Sequence, residues 1–327
     1  MVLSLHTAVA TVRDYAGFVR AHFPGRAAIP EGRTLVDSHF HLGRNLYRTS
    51  GDITAVVNTF FDRNVGFQAI CDYALFRDID HVVPYDEFVD MLPYAEGIDV
   101  AFSDAYATIA RRGEKRVVFT KGIEVETRLG ISGPGFCRDQ HEIHIAMEGF
   151  EDIKAGETYA VLNEGQRQEA YMTIAHPFTV PARRFAFLPA NEAERFHLQQ
   201  IAKEFPVRFE GLNGANSLWM TGTNSTARVF AEMHKIRLLY STDAHTRPTP
   251  APLLRTGFFD KYSLLRAQVG SAGTLVHTKD IDDLRSLTGK EILAKKYDAL
   301  SEGTRYGEVS NSWVFALSVA ANHFEHL

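Results

Sequence analysis

Apolar residues in this chain gather in short runs rather than in long helical stripes. Runs rich in Val, Ile and Phe predict strands at 34–40, 66–73, 117–126, 142–147, 172–178, 208–213 and 236–242, with one more at 273–278. They are nearly continuous instead of alternating, as strands covered on both faces are. Helical signals lie between them. Asp52 is placed to cap a helix over 53–64. Asn191 and Glu194 form a capping-box pattern opening a helix over 192–205, and Asn224 or Ser225 can cap another through His234. The stretch 84–112 reads as helix interrupted by Pro93 and Gly97. Strands alternating with helices imply βαβ units, and seven or eight units suit a closed α/β barrel. An open doubly wound sheet is the alternative. No Gly-rich phosphate loop follows the first strand, which weakens a nucleotide-cradle reading of such a sheet.

No linker, charge block or low-complexity run divides the chain. One domain over 1–327 is expected, with a core at 34–278, a helical extension at 1–30 and further helices at 285–327. The chain has 327 residues, 45% hydrophobic and 23% charged, which excludes a wholly disordered protein. A net charge of −5 argues against stable nucleic-acid binding. Arg13 and Asp14 interrupt the N-terminal apolar segment, and the uncharged run at 312–321 is too short to span a bilayer. Two cysteines, Cys71 and Cys137, fit a reducing compartment and are expected to be structural thiols. A soluble cytoplasmic protein without membrane partners is expected, and the sequence leaves its oligomeric state open.

Composition becomes informative at histidine, of which there are 14. Five lie at or near expected strand ends beside acidic residues: Asp37-Ser-His39-Phe-His41, Glu124-Val-Glu126, Glu142-Ile-His144, His176-Pro177 and Asp243-Ala-His245. Residues i and i+2 of an extended chain point the same way, so His39 and His41 can face one ion. Barrel strand ends converge on one face, where sites are built. Five imidazoles with Glu124 and Asp243 exceed the four ligands of one tetrahedral zinc. They suggest two divalent ions bridged by a carboxylate, with Zn, Mn or Fe all suited to this donor set. The chemistry such a pair supports is hydrolysis.

In this order, DSHFH (37–41), GIEVE (122–126), EIH (142–144), IAHP (174–177) and STDAH (241–245) resemble the PHP (polymerase and histidinol phosphatase) family across 34–245. The resemblance implies a distorted seven-stranded (β/α) barrel, TIM-like, and a metal-dependent phosphoesterase acting on a small phosphomonoester or nucleotide. It implies one ion held by His39, His41, Glu124 and Asp243, a second bridged by Glu124 to His144, and a third served by His176 and His245. Tyr73 stands where the family has a His, and a phenol is a poor ligand near neutral pH. After the HxH motif only Tyr47 and Asp52 are available as a further ligand. One or two ions are therefore expected, with His176 or His245 free to donate a proton to the leaving oxygen.

A phosphorylated substrate calls for cations, preferably Arg. Arg183 and Arg184 follow His176, Arg247 follows His245, and Lys121 precedes Glu124. Arg184 or Arg247 is expected to stabilise transition-state charge. Asn213 and Asn216 can orient a ligand or shape a turn, and Trp219 can stack on a base or serve in the core or as a lid. Two other readings compete. An amidohydrolase-like enzyme would cleave an amide, lactone or C–C bond at the same metals, favoured by Tyr73 and the apolar loop 185–189. A non-catalytic metal-binding protein would keep the ligands without turnover.

Overall fold

The structure, a computed structural model, describes residues 29–307 apart from 47–48, 77–81, 131–141, 178, 183–185, 190–191, 214–220, 247, 250–253, 256, 258–259, 282–283 and 285. The extension expected at 1–30 lies almost wholly outside the described residues, as do Cys137, Tyr47, Asn216 and Trp219. Within them the chain forms a mixed α/β architecture built on one nearly closed, barrel-like sheet.

The main path of that sheet has nine strands, against the seven expected, because antiparallel strands join the parallel ones. Its order is β13 (Leu238–Ser241), β12 (Arg208–Asn213), β9 (Tyr171–Ala175), β7 (Glu142–Glu148), β6 (Lys115–Arg128), β3 (Val65–Ala74), β1 (Arg33–Asp37), β15 (Ala272–His277) and β16 (Thr304–Gly307). Neighbours are parallel from β13 to β9 and from β6 to β1, while β7 runs antiparallel to both β6 and β9. Near the gap the Thr274 hydroxyl of β15 donates to the Tyr240 carbonyl of β13 at 3.4 Å. All eight runs read as strands contain strands.

The stretch 84–112 differs from expectation. A short helix α2 (Tyr85–Met91) is followed by a hairpin, β4 (Asp99–Ser103) and β5 (Ala107–Arg112), turned by Asp104, whose carboxylate accepts from the Tyr106 and Ala107 amides. Pairing of β5 with β6 supplies its backbone partners, a tertiary effect that outweighs local helix propensity. Of the flanking region expected at 285–327, the described part holds a helix, α7 (Gly289–Ser301), and then the edge strand β16, while 308–327 lies outside the described residues.

Alternate residues divide inside from outside. Val36, Phe67, Ala107, Ile109, Val118, Leu239 and Val276, one or two from each of six strands, pack together with Ile292, Tyr297 and Leu300 of α7. Their sequence neighbours Leu35, Phe119 and Leu275 instead pack outward against α1 (Ser50–Asp62). A second outer layer gathers around α3 (Thr158–Arg167), α4 (Glu192–Glu204) and α5 (Thr221–His234). So α7 seals one end of the barrel-like interior. At that end α7 contributes to a fully buried ion pair, with Lys296 Nζ 2.6 and 2.7 Å from the Glu148 carboxylate oxygens and 3.2 Å from Thr120 Oγ1.

In α1, Ile53, Val56, Val57, Phe60 and Phe61 form the buried stripe. Its N-cap is Thr49, three residues before Asp52, and the two side chains form a reciprocal capping box. The Asp52 carboxylate also accepts from Lys261 Nζ at 2.7 Å and from the Tyr262 hydroxyl. Asp52→Ala removes all three roles and is expected to cost about 1–3 kcal/mol in urea unfolding, with bound metal unchanged.

Candidate metal centre

Two segments are zipped together to make the centre. Asp37 ends β1, and its carboxylate accepts from the Thr242 amide at 3.1 Å, the Thr242 hydroxyl at 2.6 Å and the His39 amide at 3.3 Å. Burial nevertheless pushes the Asp37 carboxyl up to about 6. The Asp243 amide donates to the His39 carbonyl, and β2 (Phe40–His41) pairs in parallel with β14 (Ala244–His245). This pairing sets DSHFH against STDAH.

Five non-glycine residues among those described have positive φ. Asn64, Glu169 and Lys235 follow helix ends, where left-handed residues are common. The other two are His176 (φ 31°) and Asp243 (φ 45°), each just beyond a strand. Strained backbone held at such points is typical of functional sites.

The donor atoms of His39, His41, Glu124 and Asp243, all buried, lie within 4.8 Å of one another. The Nε2 atoms of His39 and His41 are 3.1 Å apart and lie 3.3 and 3.0 Å from Glu124 Oε2. Both also face Asp243 Oδ1, at 3.5 and 3.7 Å. A tetrahedral ion with bonds of about 2.0–2.1 Å needs donors about 3.3–3.5 Å apart, so these spacings fit one. Among the described residues Asp243 Oδ1 is buried and faces imidazole nitrogens with no well-formed hydrogen bond to it, as a carboxylate oxygen meant for a cation would be.

Partners behind the rings set their tautomers. His41 Nδ1 donates to the Cys71 carbonyl at 3.1 Å and His39 Nδ1 to Glu210 Oε1 at 3.1 Å. Each bond turns an Nε2 lone pair inward. Glu210 was not singled out from the sequence. A charged residue inside the apolar strand run 208–213 was the available signal. Its carboxylate also accepts from the Ser241 hydroxyl, the His176 amide and the Asn213 side-chain amide.

Glu124 divides its two oxygens. Oε2 faces His39 and His41, while Oε1 lies 2.5 Å from His144 Nδ1 and 3.2 Å from His176 Nε2, forming a second group. His176 therefore sits with His144 and Glu124, whereas the resemblance pairs it with His245. His144 reaches this face although it lies near the start of β7, because β7 is antiparallel and pairs His144 with Glu126 at the end of β6.

His245 is the more open member, its side chain 28% exposed. Its Nε2 lies 3.2 Å from Asp243 Oδ1 and its Nδ1 lies 2.9 Å from the Tyr73 hydroxyl. The Tyr73 ring stacks on His41 with centroids 4.2 Å apart. Tyr73 thus fills the place beside His245 as a hydrogen-bonding group.

Burial alone would raise the Glu124 carboxyl, but His144 and His39 hold it well below the usual range. Asp243 is held low against burial by His39 and His245. Burial disfavours charge on His39, yet Asp243, Glu124 and Glu210 together raise its pKa well above the ordinary value. Burial lowers His41 to about 4. A cation entering here displaces the His39 proton, because only the neutral ring offers Nε2. Zinc titration near pH 7 is therefore expected to release at least one proton per chain, and affinity should fall as pH falls. Calorimetry in buffers of different ionisation enthalpy checks this, and proton-neutral binding would contradict it.

Two expected substrate groups take other roles. Lys121, an odd number of residues from Glu124, lies on the opposite face of β6, 3.7 Å from Asp86 and over the Phe150 ring. Asn213 is fully buried, its amide donating at 2.7 Å to both Glu210 and Asp243, so it orients carboxylates. Arg183, Arg184 and Arg247 lie outside the described residues. Cys71 is buried with its thiol pushed up to about 12 by desolvation, which fits an inert packing role. Its sulfur occupies the space over Gly122, where an added Cβ would lie 2.6 Å from it.

Neither a family model nor a curated protein matches this chain. Geometry and residue chemistry therefore carry the functional reading. No described helix is long and apolar enough to cross a membrane.

Proposed function

We propose that the protein is a metal-dependent hydrolase cleaving a small phosphomonoester or nucleotide, a cytoplasmic enzyme of the kind its resemblance to the PHP family implies. The observation that carries this reading is the Glu124 carboxylate, one oxygen facing His39 and His41 and the other facing His144 and His176. The barrel-like sheet is in keeping with the distorted (β/α) barrel expected of such an enzyme.

Divalent ions at the two groups, Zn, Mn or Fe, would supply a water of lowered pKa and polarise a phosphoryl oxygen. The chain's residues supply the rest. His39, His41, Glu124 and Asp243 form the closed, dry side. His144 and His245 stand at the more open edge, where a substrate enters. His245, steadied by Tyr73 and Asp243, is placed to give a proton to the leaving oxygen, with His176 the alternative donor. Arg184 or Arg247 stabilises charge on the equatorial oxygens, and Arg183 binds the substrate's anionic group.

The test is a panel of phosphomonoesters and nucleotides, run with Zn, Mn or Fe and with inorganic phosphate as inhibitor. Turnover lost in the His39→Ala/His41→Ala variant and inhibited by phosphate supports the proposal. Turnover of amides or lactones untouched by phosphate would replace it with the amidohydrolase-like reading, which Tyr73 beside His245 favours.

A further inference from the structure

The other ends of β9 and β12 border a cavity of about 570 Å³. Its walls come from the first residues of those strands, Tyr171 and Arg208, and from the segments leaving α3, α4 and α5. Five strand steps separate Arg208 from Asn213, a rise of about 16 Å, so this cavity is separate from the metal centre.

Its charge is one-sided. Arg208, Lys235 and Arg237 all line it, against a single lining carboxylate, Glu169. None of the three cations lies within ion-pair distance of a carboxylate among the described residues. The Arg208 guanidinium lies over the Tyr297 ring at 4.6 Å, and burial together with the Arg237 charge lowers its pKa. Lys235 directly follows the C-terminus of α5, where a cation is favoured. Gathering two arginines and a lysine about one cavity against the single lining carboxylate Glu169 costs repulsion, and a bound anion reduces that cost. Arginine forks suit a phosphate, and Tyr171 and Phe205 offer an apolar wall beside it.

We propose that this cavity is a second ligand site, taking a small aromatic phosphate through Arg208, Lys235 and Arg237. Phosphate binding by equilibrium dialysis at low salt tests it, using inorganic phosphate and phenyl phosphate. The His39→Ala/His41→Ala variant of the full chain should keep saturable binding, with phenyl phosphate the tighter ligand. Lys235→Gln/Arg237→Gln changes two exposed residues and should weaken that binding about tenfold or more. Absence of saturable binding in the first variant, or undiminished binding in the second, overturns the site. This outcome does not depend on whether the metal centre hydrolyses anything.

Discussion

Glu148→Ala is expected to lower the unfolding free energy by about 3–5 kcal/mol, the usual cost of stranding a buried charge. Lys296 is fully buried on α7 and bonds both Glu148 oxygens and Thr120. Without Glu148 its ammonium has lost its counter-charge inside the barrel, and α7 would leave the end it seals. Glu148→Leu/Lys296→Met should recover most of the loss, because burying the pair is itself expensive. Urea unfolding of the two variants beside the wild type checks both values, and a Glu148→Ala effect below about 1 kcal/mol would show that the pair is solvated. The pH dependence has a defined sign. Burial raises the folded Glu148 pKa above its ordinary 4.5, so its contribution to stability is full below that value and is lost as pH rises through the raised one.

Glu124→Ala is expected to weaken metal binding at both groups at least about 100-fold, since removing even a supporting partner of a ligand costs 10–100-fold. Asp243→Ala should weaken only the group with His39 and His41, and His144→Ala only the group with His176. Metal content after gel filtration in dilute metal distinguishes the three. Equal losses in all three variants would mean one shared ion, and full retention in Glu124→Ala would remove the bridge.

What the sequence revealed follows the range of the interactions. The strand runs were legible because each is short, apolar and bounded by turn residues. The pair His39 and His41 was legible because the two-residue period of an extended chain is local. Their imidazole nitrogens do converge, 3.1 Å apart. The hairpin over 99–112 was not, because only its pairing with β6 distinguishes it from a broken helix. Glu210 showed only as a charge inside an apolar run, and its role was not legible because its partner His39 is 171 residues away. The grouping of His176 with His144 depends on the reversed direction of β7, which no local pattern announces. Lys121 shows the converse error. Closeness in sequence to Glu124 suggested a shared site, but three residues along a strand point to opposite faces.

The most direct test of the centre is the metal content of the purified full-length protein after metal-replete growth, counted per chain beside His39→Ala. The two groups that share Glu124 predict close to two equivalents, falling in the variant. Close to zero in the wild type would contradict the assignment of His39, His41, Glu124, His144, His176 and Asp243 to a metal centre, and the proposed hydrolase with it.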